Sequence, residues 1–154
     1  MSARIVRTHR ITLAAPAQAC HRFFTPAGEC LWVAGWQPQY HHPSNGQTEA
    51  GMVFSTGSGA EYTLWCLVDF DQERLYSRYT RVTPGSRSGT VEVQCYALAD
   101  QTTEVMVRYT LTALSDAGLE RLDALDDAAF SDMIMGWQDA IDSKLPRLLA
   151  AEIA

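Results

Sequence analysis

The hydrophobic period of this chain changes once, close to residue 114, and that change limits the folds that the chain can adopt. Before it, segments rich in Val, Tyr, Thr and Trp place apolar residues at every second position, which is typical of strands in a half-buried sheet. The segments cover residues 52–56, 61–70, 74–82, 90–98 and 103–113, and short turn sequences such as GSG, DQE and ADQT separate them. Short connections between consecutive strands predict an antiparallel meander.

After residue 114 the spacing of apolar residues becomes three or four, and acidic residues fill the positions between them. This pattern predicts one long amphipathic helix that begins near SDAG (115–118), with Pro146 expected to bend or end it. At 1.5 Å per residue such a helix is about 40 Å long, enough to cross an entire sheet. The apolar positions are Leu119, Leu122, Leu125, Phe130, Met133, Ile134, Trp137, Ile141, Leu145 and Leu148.

The first third of the chain predicts one strand and two short helices. Residues 4–13 alternate loosely and stop before Pro16, which is well placed to open a helix over residues 16–24. Thr25 is a good N-cap, and Pro26 is expected to start a second short helix that runs to about Ala34. A strand and the turn sequence PSNG follow.

Length and charge exclude several classes of function. The 154 residues fit one domain, and the net charge of −6 with singly scattered basic residues argues against nucleic acid or an anionic membrane as partner. No apolar run approaches the length of about 18 residues that a membrane span needs, and the N-terminus lacks a signal-peptide pattern. We expect a cytoplasmic protein, for which a homodimer is compatible with the sequence.

Metal and cofactor sites are not indicated either. The neighbours His41 and His42 point to opposite faces of a strand, so they cannot chelate one ion together. No Cys-x-x-Cys pair and no phosphate-binding Gly-rich loop occurs. We expect no metal, no nucleotide cofactor and four buried, reduced thiols, at Cys20, Cys30, Cys66 and Cys95.

Three stretches resemble the helix-grip proteins, the START-like or SRPBCC superfamily, which includes lipid-transfer domains, polyketide cyclases and dehydrases, and birch-pollen-allergen-like proteins. They are ITLAAPAQACHRFFTPAGECLW (11–32), LVDFDQERLYSRY (67–79) and MIMGWQDAIDSKLPRLLA (133–150). The resemblance covers nearly the whole chain but contains no catalytic signature. It implies an α+β fold in which a curved antiparallel sheet wraps around the long C-terminal helix, with two short helices between the first and second strands and an apolar cavity inside.

The residues that we expect to bind a ligand lie on several elements of this fold. Trp32 and Trp36 share a face if the second short helix runs through Gly35, although plain core packing is the alternative for both. On the central strand both faces are apolar, and we take the Tyr62 and Leu64 face as the inner one. The predicted set is Trp32, Trp36, Phe54, Tyr62, Leu64, Tyr79, Arg81, Met133 and Trp137.

Three titratable residues near this set have two interpretations each. Glu29 is interpreted as a solvated or capping carboxylate, with a pocket acid as the alternative. Arg7 and His9 share a face with Ile11 and Leu13, so they either run out into solvent or reach the far end of the cavity.

The sequence leaves three functional hypotheses. The first is binding of a hydrophobic small molecule, such as a lipid, sterol-like or polyketide-like compound, in the cavity. The second is a cyclase- or dehydrase-type enzyme in which His9, Arg81 or Tyr79 moves protons. The third is a protein-interaction module similar to the chaperone-ATPase activators. A carrier predicts an apolar lining, an enzyme predicts polar groups that converge in the pocket, and a module predicts a filled cavity with an exposed apolar patch.

Overall fold

A computed structural model describes residues 3–153 of the chain. One antiparallel sheet has the strand order β1-β7-β6-β5-β4-β3-β2, so the first strand pairs with the last. The strands are β1 (Arg4–Leu13), β2 (Gln39–His42), β3 (Val53–Thr56), β4 (Thr63–Asp71), β5 (Tyr76–Thr83), β6 (Arg87–Ala97) and β7 (Thr103–Ala113). The helices are α1 (Ala17–Phe23), α2 (Pro26–Glu29), α3 (Asp116–Ala124) and α4 (Asp127–Ala150).

The predicted fold class is confirmed: the curved sheet packs around the long helix α4, and two short helices lie between β1 and β2. The inner face of the sheet and the buried stripe of α4 supply most of the core. That stripe consists of Phe130, Ile134, Ile141 and Leu148. The predicted bounds of β1 and β7 agree with the structure.

Two helix predictions need correction. The second short helix, α2, ends at Glu29 rather than near Ala34, and Gly35 has a φ of +74°, so Trp32 and Trp36 do not share a helix face. Thr25 does cap α2, since its hydroxyl accepts from the Gly28 amide at 3.0 Å. The C-terminal third forms two helices rather than one, because Asp126 caps a new helix by accepting from the Ala129 amide at 2.8 Å.

Pro146 lies inside α4, which continues beyond it to Ala150. In the described part of the chain, no helix combines the length and apolarity needed to cross a bilayer. The prediction of four buried thiols is wrong for two of them: Cys20 and Cys95 are buried, whereas Cys30 is exposed and Cys66 is partly exposed. Cys30 follows the early end of α2, which leaves its side chain outside the core.

Candidate functional site

A cavity of about 180 Å³ lies between the inner face of the sheet, α4 and the segment that follows α2. Every strand from β3 to β7 contributes at least one side chain to its wall, and α4 contributes Trp137. The lining is mostly aromatic and aliphatic, with a few polar groups. It consists of Phe24, Glu29, Val33, Trp36, Phe54, Trp65, Tyr79, Arg81, Val91, Val93, Tyr109 and Trp137.

The aromatic part of the wall is a set of rings in mutual contact. Phe54 and Trp65 stack in parallel, with ring centroids 5.7 Å apart, because the two residues are paired across β3 and β4. Tyr79 meets both rings edge-on, and Trp36 meets them from the segment after α2. The Trp36 indole N–H donates to the Pro26 carbonyl at 2.9 Å, so this segment is anchored to the start of α2. The wall is therefore preorganised for a flat apolar group.

Glu29 adds an acidic group to this apolar wall. It is the last residue of α2, and its carboxyl accepts no hydrogen bond from any residue that the structure describes. Burial disfavours the charged form and raises the pKa of Glu29 well above its usual range. The interpretation of Glu29 as a solvated carboxylate is therefore wrong, and the alternative of a pocket acid describes its position.

Arg81 is a largely buried guanidinium that forms no ion pair within residues 3–153. Its central carbon lies 4.8 Å from the centroid of the Trp65 ring, a cation–π contact. The only hydrogen bond that its side chain makes in this part of the chain is a long one of 3.4 Å from Nη2 to the Thr83 hydroxyl, and its Nε is buried without an acceptor. Burial is the main cause that lowers the pKa of Arg81.

Two tyrosines complete the polar part of the wall. The Tyr79 hydroxyl donates to the Phe24 carbonyl at 2.8 Å, so its proton is already engaged. Tyr109 lies next to Phe130 and Trp137, and burial raises its pKa to about 12. Both phenols are therefore neutral at physiological pH. The cavity thus combines an apolar slot with an acid, a guanidinium and a neutral phenol, Tyr109, whose hydroxyl donates no hydrogen bond to the described residues.

Five of the nine residues predicted to bind a ligand lie on the cavity wall: Trp36, Phe54, Tyr79, Arg81 and Trp137. Trp32 lies behind the wall in the core, where its indole N–H donates to the Phe23 carbonyl at 2.7 Å. Met133 lines a neighbouring pocket instead, together with Arg81 and Tyr109.

The prediction that the face with Tyr62 and Leu64 turns inward is wrong. Both side chains are exposed, and Trp65 on the opposite face of β4 reaches the cavity. A β-bulge in β4 between Leu67 and Asp69 shifts the register against β5 by one residue. Such a shift exchanges the two faces of a strand, and a period-two pattern alone does not locate it.

The sequence analysis also missed Tyr109, although a signal for it existed. On β7 the buried residues Val105, Val107 and Leu111 alternate with the polar residues Arg108 and Thr110. Tyr109 falls on the buried side of this alternation, between two of its members. Near the middle of β7, its ring lies 5.1 Å from the ring of Phe130 on α4.

Arg7 and His9 face inward, but neither lines the cavity, so His9 has no contact with a ligand there. The Arg7 guanidinium donates from Nε to the Leu125 carbonyl at 2.9 Å and lies 3.6 Å from the Asp127 carboxylate. Arg7 therefore stabilises the junction between α3 and α4. Among the residues described, no group of three or more His, Cys, Asp or Glu side chains is arranged to hold a metal ion.

No family model and no curated protein matches the sequence. Solved structures match its fold over almost its whole length. Norcoclaurine synthase from Thalictrum flavum, in complex with dopamine and hydroxybenzaldehyde, has a TM-score of 0.68 at 9% identity and covers 95% of this chain and 88% of its own. The Zhui aromatase/cyclase from Streptomyces sp. R1128 has a TM-score of 0.66 at 14% identity and covers 98% of both chains.

A third similar structure is Ara h 8.0201, with a TM-score of 0.64 at 15% identity over 97% of this chain and 100% of that one. The three similarities show that the chain has the helix-grip fold of these proteins. At such low identities they show the fold alone.

Proposed function

We propose that this protein binds a small hydrophobic molecule with an aromatic ring in the cavity between the sheet and α4. The observation that carries the proposal is the aromatic cavity itself, in which parallel rings at 5.7 Å form a flat wall and polar groups without protein partners face the interior. A site of this kind, mostly apolar with a few convergent polar groups, is typical of small-molecule binding.

The size of the cavity limits the ligand. Its volume is about 180 Å³, and an engineered apolar cavity of about 150 Å³ in another protein is large enough for benzene. One substituted aromatic ring therefore fits without movement of the wall. The similar structure that holds dopamine and hydroxybenzaldehyde supports ligands of this class, since both are single-ring compounds.

Tryptophan fluorescence provides a direct test, because Trp36, Trp65 and Trp137 line the cavity and Trp32 contacts Trp137. We expect titration with 4-ethylbenzamide to change the emission in a saturable way. The variant Val91→Phe fills the cavity and should weaken binding at least about tenfold, which corresponds to about 1.4 kcal/mol. The matched control Val82→Phe lies on the exposed outer face and should bind as the wild type does. Equal affinities in both variants would place the binding site elsewhere.

Proton transfer is the second candidate function, and Glu29 is the observation that favours it. Burial raises the pKa of the Glu29 carboxyl, so this group keeps its proton to a higher pH than an exposed glutamate does, and it can donate the proton to the carbonyl oxygen of a bound ligand. Exchange of the α-protons of an aryl ketone for deuterium in D₂O, followed by NMR, tests this role. Solvent water removes the α-proton while Glu29 protonates the carbonyl oxygen, and the enol then takes a deuteron at the α-carbon as its hydroxyl proton returns to the carboxylate. We expect Glu29→Gln to abolish the exchange while the affinity for 4-ethylbenzamide is retained; exchange at the wild-type rate in the variant would exclude it.

The empty space in the cavity argues against the interaction module as the primary function, since that hypothesis predicts a filled cavity. His9 is no longer a candidate proton carrier for the enzyme hypothesis, because it does not line the cavity. Tyr79 is a poor proton carrier because its hydroxyl is held by the Phe24 carbonyl.

A further inference from the structure

A second pocket of about 350 Å³ adjoins the cavity at the edge where α3 packs on the sheet. Arg81 on β5, Arg87 on β6 and Arg121 on α3 all line it, and we call it the arginine pocket. The remaining lining is mostly apolar and consists of Tyr109, Leu111, Leu122, Ala124, Leu125 and Met133. Three guanidinium groups around one small pocket are unexpected in a chain whose net charge is −6.

The positive charge of the arginine pocket is only partly neutralised. Glu61 is the sole carboxylate that pairs with its arginines in the described chain: Oε1 lies 3.1 Å from Arg87 Nη2, and Oε2 lies 2.9 Å from Arg121 Nη2. Arg81 forms no ion pair with a carboxylate there, and burial is the main cause that lowers its pKa, with a smaller contribution from the charge of Arg87 and an opposing one from Glu61. A buried guanidinium without an anion is costly, so an anion in this pocket would stabilise the folded state.

The backbone around the pocket is rigidly built. The Ser115 hydroxyl donates to the Gly85 carbonyl at 2.6 Å and accepts from the Gly118 amide at 3.1 Å, which fixes the start of α3 to the turn before β6. The Ser86 hydroxyl accepts from Arg87 Nη1 at 2.9 Å. The two paired arginines are therefore held in place before any ligand arrives.

The cavity and the arginine pocket share two wall residues, Arg81 and Tyr109. We propose that the arginine pocket binds the anionic group of the molecule whose ring occupies the cavity, so that the ligand is an aromatic compound with a carboxylate, sulfonate or phosphate group. This inference rests on the proposed function and narrows its ligand class. A planar guanidinium group binds such an oxyanion with two parallel hydrogen bonds. A neutral amide or alcohol group on the ligand does not make this pair of bonds.

The test compares two compounds of the same shape, 4-ethylbenzoate and 4-ethylbenzamide, by tryptophan fluorescence and by calorimetry at pH 7. We expect the benzoate to bind at least about tenfold more tightly than the benzamide. Arg87 lines the arginine pocket but not the cavity, so Arg87→Gln should remove most of this preference and leave the affinity for the benzamide nearly unchanged. Arg81→Gln should also remove most of the preference, measured as the ratio of the two affinities within that variant. The matched control is Arg108→Gln, which removes the same charge from the outer face of β7 and should keep the preference.

The outcomes separate this inference from the proposed function. Equal affinities of the wild type for the two compounds overturn the anion site and leave the cavity as a site for neutral ligands. A preference that Arg108→Gln removes as completely as Arg81→Gln overturns it too, because the cause is then the overall charge. If neither compound binds at millimolar concentration, the proposed function fails, and the anion site fails with it.

Discussion

The Glu29 carboxyl lies at the cavity wall, and burial raises its pKa. The folded protein therefore holds the Glu29 proton more tightly than the unfolded chain does. The contribution of this proton to the free energy of unfolding is complete below the ordinary Glu pKa, and it is lost as the pH rises through the folded-state pKa. We expect Glu29→Gln to raise the free energy of unfolding by about 1 kcal/mol or more at pH 7, and to change it little at pH 4.

Urea unfolding at the two pH values measures this effect. The exposed residue Glu49 provides the control, since Glu49→Gln should show little difference between the two pH values. A gain for Glu29→Gln that is equal at pH 4 and pH 7 would mean that its carboxyl is not the group that titrates.

Trp32 and Trp36 have the same residue type and lie four positions apart, but they make different contacts. Trp32→Phe removes a buried hydrogen bond to the Phe23 carbonyl, and we expect it to lower the free energy of unfolding by about 1–3 kcal/mol while ligand affinity stays the same. Trp36→Phe removes part of the cavity wall and should lower the affinity for 4-ethylbenzamide severalfold. Calorimetry and urea unfolding separate the two effects. Equal losses of affinity would show that Trp32 also reaches the ligand.

The inner face of β4 could not be chosen from the sequence, because both of its faces are apolar. Phe70 is paired with Ser77, and an unbroken ladder from that pair would place Val68 opposite Tyr79. The bulge at Val68 places Leu67 opposite Tyr79 instead, so Trp65 joins Arg81 on the inner face. Residues opposite each other in an antiparallel pair share a face. The inward position of Tyr79 follows from alternation, whereas that of Trp65 depends on a bulge that no local pattern marks.

At the level of elements, the position of α3 depends on one glycine. A Cβ at Gly118 would overlap the Ser86 carbonyl oxygen, so α3 can approach the sheet this closely only with glycine there. We expect Gly118→Ala to lower the free energy of unfolding by about 1–3 kcal/mol and to abolish the preference for benzoate over benzamide. The control is Gly136→Ala in α4, where a Cβ meets open space and helix propensity predicts a gain of up to about 1 kcal/mol. A stable Gly118→Ala variant with an intact preference would contradict the tight contact.

The break between α3 and α4 shows how far hydrophobic spacing predicts elements. Apolar residues recur every three or four positions on both sides of the break, but Leu125 and Phe130 are five apart, and Asp126 between them is a strong N-cap. The sequence therefore contained the signal for a second helix. The Arg7 guanidinium donates a hydrogen bond to the Leu125 carbonyl at the end of α3. Arg7 lies on a strand more than a hundred residues earlier, and no local pattern predicts that contact.

For the whole molecule, the order of elements was predictable because each depends on local periodicity, whereas the cavity depends on which side chains meet across the sheet. Phe54, Trp65 and Tyr79 come from three strands, and the contacts between their rings follow from strand register. The arginine pocket is less predictable still, since Arg81, Arg87 and Arg121 converge only when α3 packs back on the sheet. Scattered arginines in the sequence do not mean scattered charge in the fold.

An empty cavity lowers the stability of the whole fold. The substitution of Val by Ile should therefore raise the free energy of unfolding at a cavity position and lower it at a fully packed position. Val93 lines the cavity, so Val93→Ile should fill part of it, raise the free energy of unfolding by about 0.5 kcal/mol and weaken the binding of 4-ethylbenzamide severalfold. Val105 is fully buried on β7 away from the cavity, so Val105→Ile should overpack the core, lower stability by about 1 kcal/mol and leave affinity unchanged. Urea unfolding measures the stability of each variant, and calorimetry measures its affinity for 4-ethylbenzamide. If Val93→Ile destabilises the protein as much as Val105→Ile does, the cavity is closed in the free protein, and ligand entry then requires the segment that carries Trp36 to move away from the sheet.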